Sequence, residues 1–88
     1  MKIKDGFVIR KVMDNYVVIA VGEASRNFQG MVKLNETAAT IWGYIAEGKE
    51  LDEITALMLE KYDVEESILR ADIEKILKTL EQQGFIET

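Results

Sequence analysis

Three clusters of carboxylates are the side chains of this sequence best spaced for acid–base or metal chemistry: Asp52-Glu53, Glu65-Glu66, and Asp72 with Glu74. Such pairs work as acid and base, or hold a cation, when they converge in a buried pocket that displaces their pKa values. The first two pairs instead fall where helices are expected to start, and negative charge there is favoured by the helix dipole. They read as solvated helix faces. The sequence has no histidine and no cysteine. That removes the commonest general base, the commonest metal ligand, the thiol nucleophile, thiolate metal sites and disulfides. Ser67, the serine of the helical half, has no histidine to activate it. Gly22 and Gly30 do not make a phosphate-binding loop, which needs closely spaced glycines before a helix. An enzyme acting alone is not expected.

The chain has 88 residues, 48% hydrophobic and 31% charged, with a net charge of −5. That length suits one domain spanning residues 1–88, and folding is expected to bury about 60–65% of the unfolded chain's surface. The longest apolar run, Tyr16 to Val21, is far short of the roughly 20 residues a membrane helix needs. Residues 1–6 lack the apolar core of a secretory signal. A cytoplasmic protein is expected, without cofactor or metal. The acidic balance also argues against nucleic acid, because counterion release from phosphates supplies most of that affinity.

The elements that must position any site divide the chain. Phe7 to Met13 and Tyr16 to Val21 are rich in β-branched and aromatic residues and read as strands. Asp14-Asn15 between them is expected to form a two-residue hairpin turn. Alternation sets Phe7, Ile9 and Met13 against Val8, Arg10 and Val12. Residues 22–27 read as loop, and Gly30 to Leu34 as a short third strand. The period then becomes helical. Asn35 is expected to cap a helix carrying Ala38, Ile41, Trp42 and Ile45 on one stripe, with Gly48 past its end. A second helix from Leu51 to Tyr62 presents Leu51, Ile54, Leu57 and Met58. Asp63-Val64 makes a tight corner. The third helix, residues 65–83, carries Leu69, Ile73, Ile76, Leu77 and Leu80. Gly84 ends it, and Phe85-Ile86 tucks into the core or adds a strand. This order, βββααα, describes an α+β, winged helix-turn-helix-like domain with a three-stranded antiparallel sheet.

That fold invites a DNA reading, and the third helix tests it. Residues 65–83 hold Arg70, Lys75 and Lys78 against Glu65, Glu66, Asp72, Glu74 and Glu81. A helix entering the major groove needs a basic outward face. Two other features are mildly odd. In a simple meander the third strand is an edge with open N–H and C=O groups, where an extended peptide can add; Val32 is expected to supply an edge N–H. Ile68, Asp72, Lys75 and Thr79 also share a helix face beside the core stripe. They make either a groove wall or a boundary face with Asp72 and Lys75 paired.

The stretch from Val32 to Trp42, with its Leu-Asn-Glu-Thr-Ala-Ala-x-Ile-Trp run, resembles the motif of the PqqD-like family. So do Tyr62-Asp63-Val64, Asp72-Ile73, Leu77 to Leu80 and the closing Gly84-Phe85-Ile86. The resemblance covers nearly the whole chain. It implies a RiPP recognition element: a module that binds the leader segment of a ribosomally made precursor peptide and presents it to a modifying enzyme, often a radical SAM protein. The leader would pair with the third strand at Met31, Val32, Lys33 and Leu34, and lie against Ile68, Asp72, Lys75, Ile76 and Thr79. The Asn35–Ala39 segment and Trp42 read as structural. A DNA-binding winged-helix regulator and an assembly module without peptide recognition are the alternatives, and a homodimer through the open strand edge is a further expectation.

Overall fold

A computed structural model describes residues 1–26 and 31–87. The expectations placed on Asn27 and Gly30 lie outside the described residues. Three strands, β2 (Phe7–Val12), β3 (Asn15–Ala20) and β4 (Val32–Leu34), form an antiparallel sheet in the order β2-β3-β4. A smaller sheet pairs β1 (Lys2–Ile3) with β5 (Ile86–Glu87). A 3-10 turn spans Gly22–Arg26, and the helices are α1 (Glu36–Ala46), α2 (Leu51–Leu59) and α3 (Glu66–Gln82). The expected α+β order is therefore present, with a two-stranded addition that ties the two ends of the described chain together.

The hairpin turn sits one residue earlier than expected. Val12 pairs with Asn15, so the central residues are Met13 and Asp14. Met13 takes φ 57 and is 87% exposed, so it leaves the strand face assigned to it. The β-branched run wins over the turn preference of Asn15, because pairing that residue extends the ladder.

Alternation places Phe7, Ile9, Val18, Val32 and Leu34 on the face that packs against the helices. Across from them, Ile41, Trp42 and Ile45 of α1, Ile54 and Met58 of α2, and Leu69, Ile73 and Leu80 of α3 complete the core. Phe85 is fully buried and joins sheet to helix: its ring meets Phe7 at 5.1 Å and Trp42 at 5.8 Å, both edge-on. Asn35 caps α1 as expected, its side-chain oxygen accepting from the Ala38 N–H at 2.8 Å. α2 stops at Leu59, three residues short of Tyr62. Leu57 is only half-buried, whereas Thr55 is buried with its hydroxyl donating to the Leu51 carbonyl at 2.8 Å. On α3 the stripe narrows, and Ile76 and Leu77 lie half-buried at the margin of the core. Lys2 sits in β1 and pairs with Glu87 at 3.1 Å.

Candidate functional site

The backbone decides what β4 offers. The Val21 N–H donates to the Gly6 carbonyl at 2.7 Å, so Val21 turns its hydrogen-bonding groups toward the β2 side. In a strand successive residues alternate sides. Ile19, Val17 and Asn15 therefore also face β2, and Val18 and Tyr16 face β4. Their partners Val32 and Leu34 are spent inside the sheet, and Lys33, opposite Val17, directs its N–H and C=O to the open edge. The sequence reading assigned an edge N–H to Val32; the phase of the ladder assigns it to Lys33. Among the described residues β4 has no strand on its outer side.

Beside this edge α3 lines two cavities that meet at Ile76. One, of about 300 Å³, lies between β4 and α3 and is lined by Lys33, Leu34, Asn35, Ala38, Lys75, Ile76, Thr79 and Leu80. The other, of about 150 Å³, lies further toward the start of α3 and is lined by Thr37, Tyr62, Val64, Leu69, Asp72, Ile73 and Ile76. An apolar space of about 150 Å³ takes a benzene-sized group. Together they form a groove running along α3, the larger cavity lying beside the open edge.

The structure brings six of the nine candidate residues to this groove: Lys33, Leu34, Asp72, Lys75, Ile76 and Thr79. Val32 is half-buried against the core, next to the open edge. Met31 lies just outside β4 and is 68% exposed. Ile68 is 55% exposed and lines neither cavity. Sequence reasoning missed the floor and far wall. Asn35, Thr37 and Ala38 had been read as purely structural, yet the first turn of α1 lies against both cavities. Tyr62 was expected to end the second helix and Val64 to lie in the corner after it. The signal there was Val64 itself, an aliphatic residue left 48% exposed.

Asp72 and Lys75 do not pair. Among the described residues neither has an ion partner within 4.0 Å. Arg70 takes that role on α3, bridging Asp52 at 2.6 Å and Glu74 at 3.4 Å. Its hydrogen bond to Asp52 raises the guanidinium pKa above its ordinary value. Two of the three carboxylate clusters are thus linked by one arginine on the surface. Among the described residues no group of three or more His, Cys, Asp or Glu side chains is placed to hold a metal ion. No described helix is long and apolar enough to cross a membrane.

An open strand edge set beside an apolar helix groove, on a βββααα scaffold, defines a small winged-helix-like module. The chain belongs to the PqqD family: the family model described as Coenzyme PQQ synthesis protein D matches residues 15–86. No curated protein matches the sequence. Two solved structures share the fold. TbiB1 in complex with the TbiA(beta) leader peptide superposes with a TM-score of 0.81 at 24% identity, over 99% of this chain and 95% of that one. Lasso peptide synthetase B1 complexed with the leader peptide gives a TM-score of 0.82 at 18% identity, over 99% and 96%.

Proposed function

We propose that this chain binds the leader segment of a ribosomally synthesised precursor peptide and presents it to a modifying enzyme, a radical SAM protein being the partner the family resemblance suggests. The observation that carries the reading is the open Lys33 edge lying directly beside the groove of α3. Strand addition supplies sequence-tolerant main-chain hydrogen bonds, and alternate side chains of the added strand enter the groove. Both solved relatives are complexes with leader peptides, which supports the same use of this fold. The module performs no bond chemistry in this reading. It raises the effective concentration of the core segment at the enzyme, to roughly millimolar for a short flexible link. Residues 1–88 act as one domain, in the cytoplasm, where precursor and enzyme are made.

An amide-shift NMR titration tests it, using the leader of a short peptide encoded beside this gene. Shifts gathered at residues 31–35 and 72–79 are expected. Shifts elsewhere, with that edge unmoved, overturn the reading. The same edge can pair with its own copy. Sedimentation at rising concentration, with and without peptide, distinguishes a dimer that competes with the leader from a monomer that awaits it.

A further inference from the structure

The peptide reading leaves open which leaders fit. We propose that the groove selects charge as well as apolar anchors: it takes a leader with carboxylates beside the anchor that lies between Lys33 and Lys75, and with neutral or basic residues opposite Asp72. This rests on the peptide reading and deepens it.

The charges of the chain are unevenly placed. Residues 35–88 carry thirteen acidic side chains against five basic ones. Most of the helical half therefore repels a carboxylate. The mouth of the larger cavity is an exception. Lys33 and Lys75 both line it, and among the described residues neither has a carboxylate within 4.0 Å. Six of the other nine basic side chains already face a carboxylate or an aromatic ring: Lys2, Lys11, Arg26, Lys49, Lys61 and Arg70. Two cations without a counter-charge, one on each side of the open edge, favour an anionic occupant.

Strand geometry says how one leader meets both. Lys33 stands opposite Val17, on the face of the sheet away from Val32, Leu34 and the core. A residue paired with Lys33 on an added strand puts its Cβ about 4.5–5.5 Å away on that same outer face. The residues before and after it point the other way, toward α3, where Lys75 and Ile76 form the wall. Consecutive leader residues thus meet the two lysines in turn. Asp72 lies one turn earlier on α3, about 4.5 Å along the axis. It lines the smaller cavity, also without a basic partner within 4.0 Å. The sign of the groove therefore changes along its length. An open strand edge accepts a peptide in either direction, and a groove of two signs prefers one of them.

Random short peptides displayed on phage test this without a known leader. They are selected on the wild-type protein and on a Lys33→Glu, Lys75→Glu double variant, and bound clones are mapped by amide shifts. Clones that move residues 31–35 and 72–79 are expected to be enriched in Asp and Glu at fixed positions beside an apolar anchor. In the double variant the same positions are expected to turn to Lys and Arg. For one wild-type clone, Lys33→Gln or Lys75→Gln is expected to weaken binding by about threefold each, and less in high salt. Clones that map to the groove with apolar enrichment but no charge preference overturn this inference and leave the peptide reading standing. Clones that bind without touching the groove overturn the peptide reading itself.

Discussion

Proline at residue 33 is the sharpest probe of strand addition. The ladder between β3 and β4 uses the N–H groups of Val32 and Leu34, whereas that of Lys33 points to the open edge. Lys33→Pro therefore removes a donor that the folded protein does not use, and proline is tolerated on an edge strand in that orientation. The preceding residue, Val32, is already extended, which proline favours. A peptide carbonyl that loses its donor forfeits a hydrogen bond worth about 0.5–1.5 kcal/mol, or more where water cannot replace it. A loss of roughly 1–2 kcal/mol corresponds to about 5- to 30-fold in Kd. Lys33→Gln keeps the N–H and removes the charge, so it is the reference. Affinity is read by fluorescence anisotropy with a labelled leader peptide, and folding by the amide spectrum and thermal melt. If Lys33→Pro stays folded and binds within about twofold of Lys33→Gln, strand addition at β4 is refuted. Val32→Pro is no substitute, because it breaks the ladder to Val18 and is expected to act through stability.

Two glycines separate backbone strain from crowding. Gly6 takes φ +94, and a Cβ there would meet the Ala24 Cβ at 2.6 Å; Gly22 takes φ +61 with nothing within 4 Å. Urea unfolding is expected to show Gly6→Ala losing about 1–3 kcal/mol and Gly22→Ala only about 1 kcal/mol; equal losses would mean that Ala24 simply moves aside. Met13 offers the converse test. A left-handed φ costs a non-glycine residue about 1–2 kcal/mol, and glycine in the unfolded chain gives back about half of that, so Met13→Gly is expected to gain roughly 0.5–1 kcal/mol. A loss of stability in the same urea assay would show that the Met13 side chain makes a contact that matters.

The helices were legible because their apolar residues repeat with a clear period. Ala38, Ile41, Trp42 and Ile45 are all buried, and Asn35 caps them. What escaped was whatever depends on phase or on partners distant in sequence. The Phe7–Val12 and Asn15–Ala20 strands were visible, but their turn was misplaced by one residue, because Met13 carries no turn preference and yet occupies the turn. The small β1–β5 sheet is too short to show alternation and exists only because residues 2–3 and 86–87 meet. The candidate site shows the same division. Types and spacing pointed to β4 and one face of α3. Which N–H is free depends on ladder phase, which the bond from Val21 to Gly6 reveals and no local pattern displays. Thr37 and Val64 join the groove only because α1 and the corner before α3 fold against it.

The size of β4 sets the balance between edge and groove. The strand has three residues, and one of them, Lys33, faces outward. One donor and one acceptor, even joined by a few flanking groups, contribute about 0.5–1.5 kcal/mol per bond. Association of a flexible peptide costs at least about 4 kcal/mol, so the edge alone does not hold a leader. Burying one Leu- or Phe-sized side chain adds about 1.5–3 kcal/mol. Two cavities that meet at Ile76 give room for two such anchors, about 3–6 kcal/mol together and more than the edge bonds contribute. In the proposed reading the labour divides: the edge fixes register, the cavities supply most of the affinity, and both are needed in one peptide. That peptide must space its anchors to match the groove, because a strand presents alternate side chains to one face. A three-residue edge with a lysine at its centre also limits the hazard of an open strand, because short edges and charged side chains disfavour pairing between copies.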